Sequence, residues 1–168
     1  MDSTLADRMA EAEQLAEQLE AELARVNDEL AAIAEPRWSN SVTQSEGWSV
    51  GHTAHHIAEG YALNRTWIEK ATSQGHPVVL DPAIDIPAQN EANARCLAEH
   101  GDEPREQTLR LLQANAQQLV ATVRALSEDR LEAPMMVVAG STRTGRELAL
   151  GMPLFHANRH LESIRAAP

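Results

Sequence analysis

The chain has 168 residues, 43% hydrophobic but only 3% aromatic, and a formal net charge of −11. That length predicts a single domain over residues 1–168, long enough to bury a core, and the acidic balance excludes a basic face for phosphate backbones, so no nucleic-acid partner is expected. The single cysteine, Cys96, excludes an internal disulfide, and neither a signal-peptide pattern nor a run of membrane length occurs, so a cytoplasmic protein with no membrane contact is expected.

In the first segment, Leu5, Met9, Ala12, Ala16, Leu19, Leu23, Val26, Leu30 and Ile33 recur at steps of four and three. That spacing predicts one apolar stripe along a long helix. A coiled coil and a four-helix bundle share this pattern, and the bundle suits a chain of this length better. The stripe would also serve a homodimer packed through helical faces. Pro36 is expected to end the helix.

A second helix is predicted over "WSVGHTAHHIAEGYALNRTWIEKA", with Ser49 as its N-cap and Val50, Ala54, Ile57, Tyr61 and Ile68 facing inward. "SQGHPVVLDP" breaks it with Gly75, Pro77 and Pro82. A short helical piece follows over "AQNEANARCLAEH". Leu109, Leu112, Ala116, Leu119, Val123 and Leu126 then mark a third long helix. Met135 to Val138 read as extended, with a turn at Gly140 and Ser141. Thr144 and Glu147 form a capping-box pattern for the last helix. Pro153 falls inside that helix and predicts a bend. The fold class is therefore all-α.

The histidines carry the functional reading. Residues four apart on a helix share one face, and both His52/His56 and His156/His160 have that spacing. His56 lies at the edge of the apolar stripe, where a ligand facing the interior belongs, and Gly60 leaves space one turn on. His55 falls on the polar face and reads as solvated. His52, third after the Ser49 cap, reads as a first-turn residue without a metal role. His76 and His100 stand beside glycines and read as loop residues. One His-x-x-x-His is a weak motif, because surface helices carry such pairs without a metal. A third histidine on another helix strengthens it. Three neutral imidazoles suit Zn, Ni or Fe and leave coordination positions open. No Glu-x-x-His occurs, which disfavours a di-iron carboxylate bundle, and no Gly-rich phosphate loop is present.

"WSVGHTAHHI" resembles the Trp-Ser-x-x-Glu-x-x-x-His-[Ile/Leu] segment of the DinB/YfiT-like superfamily, and "HANRHLESI" resembles that family's closing His-x-x-x-His motif. The superfamily includes metal-dependent enzymes and the metal-binding domain of mycothiol-dependent maleylpyruvate isomerase. Helix order, separation of the motifs and chain length agree with it. The resemblance implies a four-helix bundle with long crossover connections and a divalent metal, Zn ahead of Ni or Fe. Carried over by position, the ligands are His56, His156 and His160. His52 stands where the family has Glu, which leaves it as a neighbour of the ligands, a further ligand or a first-turn residue. The isomerase has Glu at the place matching His156, so this chain is more similar to the three-His branch. It also ends soon after the last helix, so the isomerase's further C-terminal domain is not expected.

The family's activity implies thiol chemistry, in which a low-molecular-weight thiol such as mycothiol or bacillithiol is transferred or used as a cofactor. The partners would be that thiol and an electrophilic substrate. Thirteen arginines against one lysine, with abundant alanine, suggest GC-rich codons and favour mycothiol. The competing readings are a metal-dependent isomerase or hydrolase, a non-catalytic metal- or ligand-binding bundle, and a helical interaction protein with incidental histidines.

Overall fold

The computed structural model describes residues 5–42 and 47–168, with side chains from residue 11 onward. Helix α1 (Leu5–Ala31) is followed by the short α2 (Glu35–Trp38), which has Pro36 in its first turn. The stripe expected on α1 is the face it buries: Ala12, Ala16, Leu19, Leu23, Val26 and Leu30 are all inaccessible or nearly so. The readings of Leu5 and Met9 concern side chains outside the described set.

Helix α3 (Val50–Gln74) starts where the sequence places it. The Ser49 hydroxyl accepts the His52 backbone N–H at 3.0 Å, satisfying one of the amides that a first helical turn leaves without a partner. Strand β1 (Val78–Leu80) and helix α4 (Pro82–His100) follow. Then come α5 (Arg105–Arg124), α6 (Glu128–Glu132), β2 (Pro134–Val138) and β3 (Ser141–Thr144). A π-helical turn (Glu147–Gly151) leads into α7 (Met152–Arg165).

Helices α1, α3, α5 and α7 enclose the core. Both α1 and α3 pack on α5 and α7, and Leu19, Leu23, Ile57, Tyr61, Ile68, Leu112, Leu119 and Leu148 are fully buried among them. The mainly helical architecture agrees with the sequence, but a three-stranded sheet, ordered β1-β2-β3, is added to it. The extended Met135–Val138 lies in β2, which pairs with β3 as a hairpin whose turn falls at Ala139 and Gly140, one residue before the turn expected at Gly140 and Ser141. β1 pairs parallel with β2, Val78 opposite Met136 and Leu80 opposite Val138. A parallel pair needs a long crossover, supplied here by α4, α5 and α6. Ala139 and Gly140 link β2 to β3 with φ of 48° and 78°. With Val138 opposite Ser141, this is a two-residue turn whose central residues are both left-handed.

Helix α4 is longer than the segment read from the sequence. Asp81 caps it by accepting the Ala83 N–H at 2.9 Å, Pro82 starts it, and Pro87 is accommodated within it. His100, read as a loop residue, is on its last turn. The capping box at Thr144 forms in both directions: the Thr144 N–H donates to Glu147 Oε2 at 2.8 Å, and the Glu147 N–H to Thr144 Oγ1 at 3.3 Å. Pro153 is preceded by the π-helical turn, where the Met152 N–H bonds to the Glu147 carbonyl five residues back. The wider turn accompanies a proline that has no N–H to offer the preceding turn. Among the described residues, no helix is long and apolar enough to cross a membrane.

Candidate metal centre

Three imidazoles converge where α7 packs on α3. His56 comes from α3, and His156 and His160 come from α7, one turn apart. Ring centroids are 4.8 Å apart for His56 and His156, 4.9 Å for His56 and His160, and 4.6 Å for His156 and His160. Each residue offers one donor nitrogen within 4.8 Å of the others, and each is half-buried. His56 Nε2 and His156 Nε2 are 3.0 Å apart, near the ~3.3 Å separating two nitrogens in a tetrahedral zinc site.

The rings are held neutral. Burial pushes His56 down to about 3, with the neighbouring His156 and His160 adding to the effect. Burial pushes His156 down to about 4, helped by His160 and Arg159. His160 is lowered by burial and then by Arg159. Neutral imidazole is the ligating form. His156 Nδ1 is buried without a hydrogen-bond partner, and its Nε2 meets another imidazole nitrogen, that of His56, instead of a carboxylate or carbonyl. The donor set therefore fits a divalent cation.

Gly60 makes the convergence sterically feasible. A Cβ there would lie 2.6 Å from both Cε1 and Nδ1 of His156. The space expected beside His56 is thus filled by the His156 ring. Trp48 carries no metal signal of its own in the sequence, although it opens the first histidine motif. Its ring centroid lies 4.8 Å from that of His56, edge-on, and 6.3 Å from that of His160, nearly parallel, so the indole walls one side of the cluster.

His52 does not share the donor cluster of the other three. It is 1% exposed, with its ring against Trp48 at 4.7 Å and both ring nitrogens without partners. Burial and then the nearby His55 lower its pKa. Its first-turn position is as read, but its side chain is interior.

His55 departs from its expected solvated state. It is 2% exposed, its Nδ1 lies 2.7 Å from Glu103 Oε2, and its ring stacks on His100 at 4.5 Å. The cause is the longer α4 and the turn after it, which cover the polar face of α3. Burial lowers the His55 pKa, but Glu59 and Glu103 outweigh it and raise the net value. Glu59 is in turn held down at about 2, chiefly by His55. Cys96 is pushed up to about 12 by burial and then by Glu59. His76 is exposed in its loop, as expected. A groove of about 380 Å³ between α1 and α5, lined in part by Leu23, Asn27, Leu109 and Ala116, contains none of these histidines. Donor chemistry, not concavity, marks the centre.

The chain belongs to the DinB superfamily, whose sequence model matches residues 40–164. That span contains all four histidines of the two helical pairs. Among solved structures, the chain is similar to a mycothiol-dependent maleylpyruvate isomerase, with a TM-score of 0.66 and 19% identity. The match covers 99% of this chain and 64% of the isomerase chain, so this chain spans less than two thirds of that protein's length. At that identity the likeness is one of fold. The comparison with curated proteins gave no match.

Proposed function

We propose that this protein is a metal-dependent enzyme that transfers or uses a low-molecular-weight thiol, of the mycothiol or bacillithiol type, at a centre formed by His56, His156 and His160. The observation that carries the reading is the meeting of three neutral, half-buried imidazoles from two helices, with no carboxylate among their donor atoms. Zinc suits three nitrogen donors best, with nickel or iron as alternatives. Such an ion would supply Lewis acidity and favour the thiolate form of a bound thiol.

The chain's residues set the conditions for that chemistry. Burial keeps the three rings unprotonated, and Gly60 admits His156 to the cluster. Trp48 excludes water from one flank. Three uncharged donors leave the dication's charge uncompensated, which favours an anionic ligand from outside. The half-exposed rings allow a small thiol and an electrophile to approach. The structurally similar isomerase is mycothiol-dependent, which supports the same thiol class. So does the arginine-dominated composition, and a cytoplasmic setting would keep the thiol reduced.

The test is thiol consumption. Zinc-loaded protein is expected to accelerate addition of mycothiol to an unsaturated dicarbonyl electrophile, and chelated or His160→Ala protein to lose that acceleration. Folded zinc-loaded protein that accelerates no reaction of either thiol would leave a non-catalytic metal-binding role in its place.

A further inference from the structure

The neighbouring face of α3 carries a second set of donors that this reaction does not use. His55 is one residue before His56, so it projects about 100° around the helix from it. Its Nδ1 is engaged by Glu103 Oε2 at 2.7 Å. That carboxylate is itself held in place: Gln107 Nε2 donates to its other oxygen at 2.6 Å, and Thr108 Oγ1 lies 3.3 Å from Oε2. The other ring nitrogen, Nε2, faces Glu59 Oε1 at 3.8 Å. Cys96, from α4, completes the group, so that one nitrogen, one oxygen and one sulfur donor lie within 4.8 Å of one another. His55 and Cys96 are buried, 2% and 8% exposed.

We propose that His55, Glu59 and Cys96 form a second divalent-metal site, suited to zinc and separate from the three-histidine centre. The donor types are those zinc takes from proteins, and their spread needs to close only to about 3.3–3.6 Å around an ion. A thiolate and a carboxylate carry two negative charges, which balance a dication, with Glu59, its side chain 45% exposed, on the solvent side of the site. The hydrogen bond that His55 Nδ1–H donates to Glu103 Oε2 is the arrangement that orients a metal-ligating histidine, fixing Nδ1 as the protonated nitrogen and leaving Nε2 for the metal. His100, stacked flat on His55 with 16° between the planes, covers the ring from one side.

The site also has a structural purpose. Of the 19 residues of α4, only Cys96 is buried, so apolar packing holds this helix weakly. An ion bound by His55 and Glu59 of α3 and Cys96 of α4 would clasp the two helices together. The thiol proton leaves to solvent on binding.

Cobalt titration tests the proposal. Cys96 is the only thiol in the chain and the three-histidine centre has no sulfur donor, so a thiolate-to-cobalt charge-transfer band can arise only at Cys96. His156→Ala protein, purified without an affinity tag and without added thiol, is expected to take up one equivalent of cobalt with that band, and one equivalent of zinc should bleach it. Cys96→Ser in the same background should lose both the band and the bound equivalent. If His156→Ala does not fold, the same titration of the unaltered protein serves, with two equivalents expected and the band still present. Folded protein that binds cobalt without a thiolate band, or whose stoichiometry is unchanged by Cys96→Ser, would overturn the site.

Discussion

At the scale of single residues, the three-histidine centre depends on a missing side chain. Gly60 lies in mid-helix, where glycine costs roughly 1 kcal/mol relative to alanine. It is kept where the His156 ring lies against its Cα. Gly60→Ala should therefore gain helix propensity while displacing His156. Zinc affinity is expected to fall by roughly 10- to 100-fold, the range for disturbing the support of a metal ligand, with little change in helix content. Competition against a chelator measures this, and unchanged affinity would show that the ring can move without cost. The same histidines set a pH dependence. His56 and His156 titrate at about 3 and about 4 in the fold, against about 6.5 in an unfolded chain. Below pH 6.5 the unfolded chain binds more protons, so the stability these rings contribute is present above 6.5 and lost as pH falls toward 4. His55 is raised and acts in the opposite sense, favouring the fold at low pH. Metal-free protein should have a lower urea midpoint at pH 5 than at pH 7. His156→Gln should narrow that gap, and an equal gap in the variant would remove His156 as a contributor.

At the scale of elements, the hairpin turn carries a conformational cost. Ala139 has φ of 48°, a left-handed conformation that costs a residue with a Cβ roughly 1–2 kcal/mol. Asparagine tolerates that region and is favoured in such turns. Ala139→Asn is expected to stabilise the protein by about 1 kcal/mol, or roughly 2–4 °C in Tm for a domain of this size. A thermal melt with unchanged or lower Tm would contradict the turn geometry. The elements also show what a sequence discloses. The α1 stripe, the Ser49 cap, the Thr144–Glu147 box and the spacing of His156 and His160 are local patterns, and they are read directly from the chain. β1 is three residues long, too short for an alternating pattern to register, and it exists because β2 lies beside it. The start of α4 is obscured because Pro82, which reads as part of the break, is the first residue of the helix. His55 escapes a local reading for a related reason: a helical wheel gives its angle to the core but not the distant segment that covers its other side. Trp48 belongs to the centre through a contact with His160, 112 positions away, that no local pattern encodes.

At the scale of the whole molecule, the two halves of the centre lie far apart in the chain. One histidine, His56, is on α3 and the other two are a hundred residues later on α7. Between them run the crossover through α4, α5 and α6 and the sheet. Surface pairs tie α1 to the later helices, including Arg124 with Glu13 at 3.0 Å and Arg165 with Glu29 at 2.6 Å, but exposed pairs of this kind are worth at most about 1 kcal/mol each. Joining α3 to α7 requires closing a long loop, and loop-closure entropy must be met before such contacts stabilise anything. The geometry that would hold an ion is therefore expected to be complete only late in folding. An interaction absent from the transition state slows unfolding and leaves the folding rate nearly unchanged. Zinc at the three histidines should act as a kinetic latch: the unfolding arm of the chevron is expected to drop by about tenfold for each 1.4 kcal/mol of binding energy at the working concentration, while the refolding arm stays in place. Trp48, 4.8 Å from His56, provides a fluorescence signal at the latch itself. A refolding rate that rises with zinc would instead mean that α3 and α7 meet early, and that the metal helps to nucleate the fold.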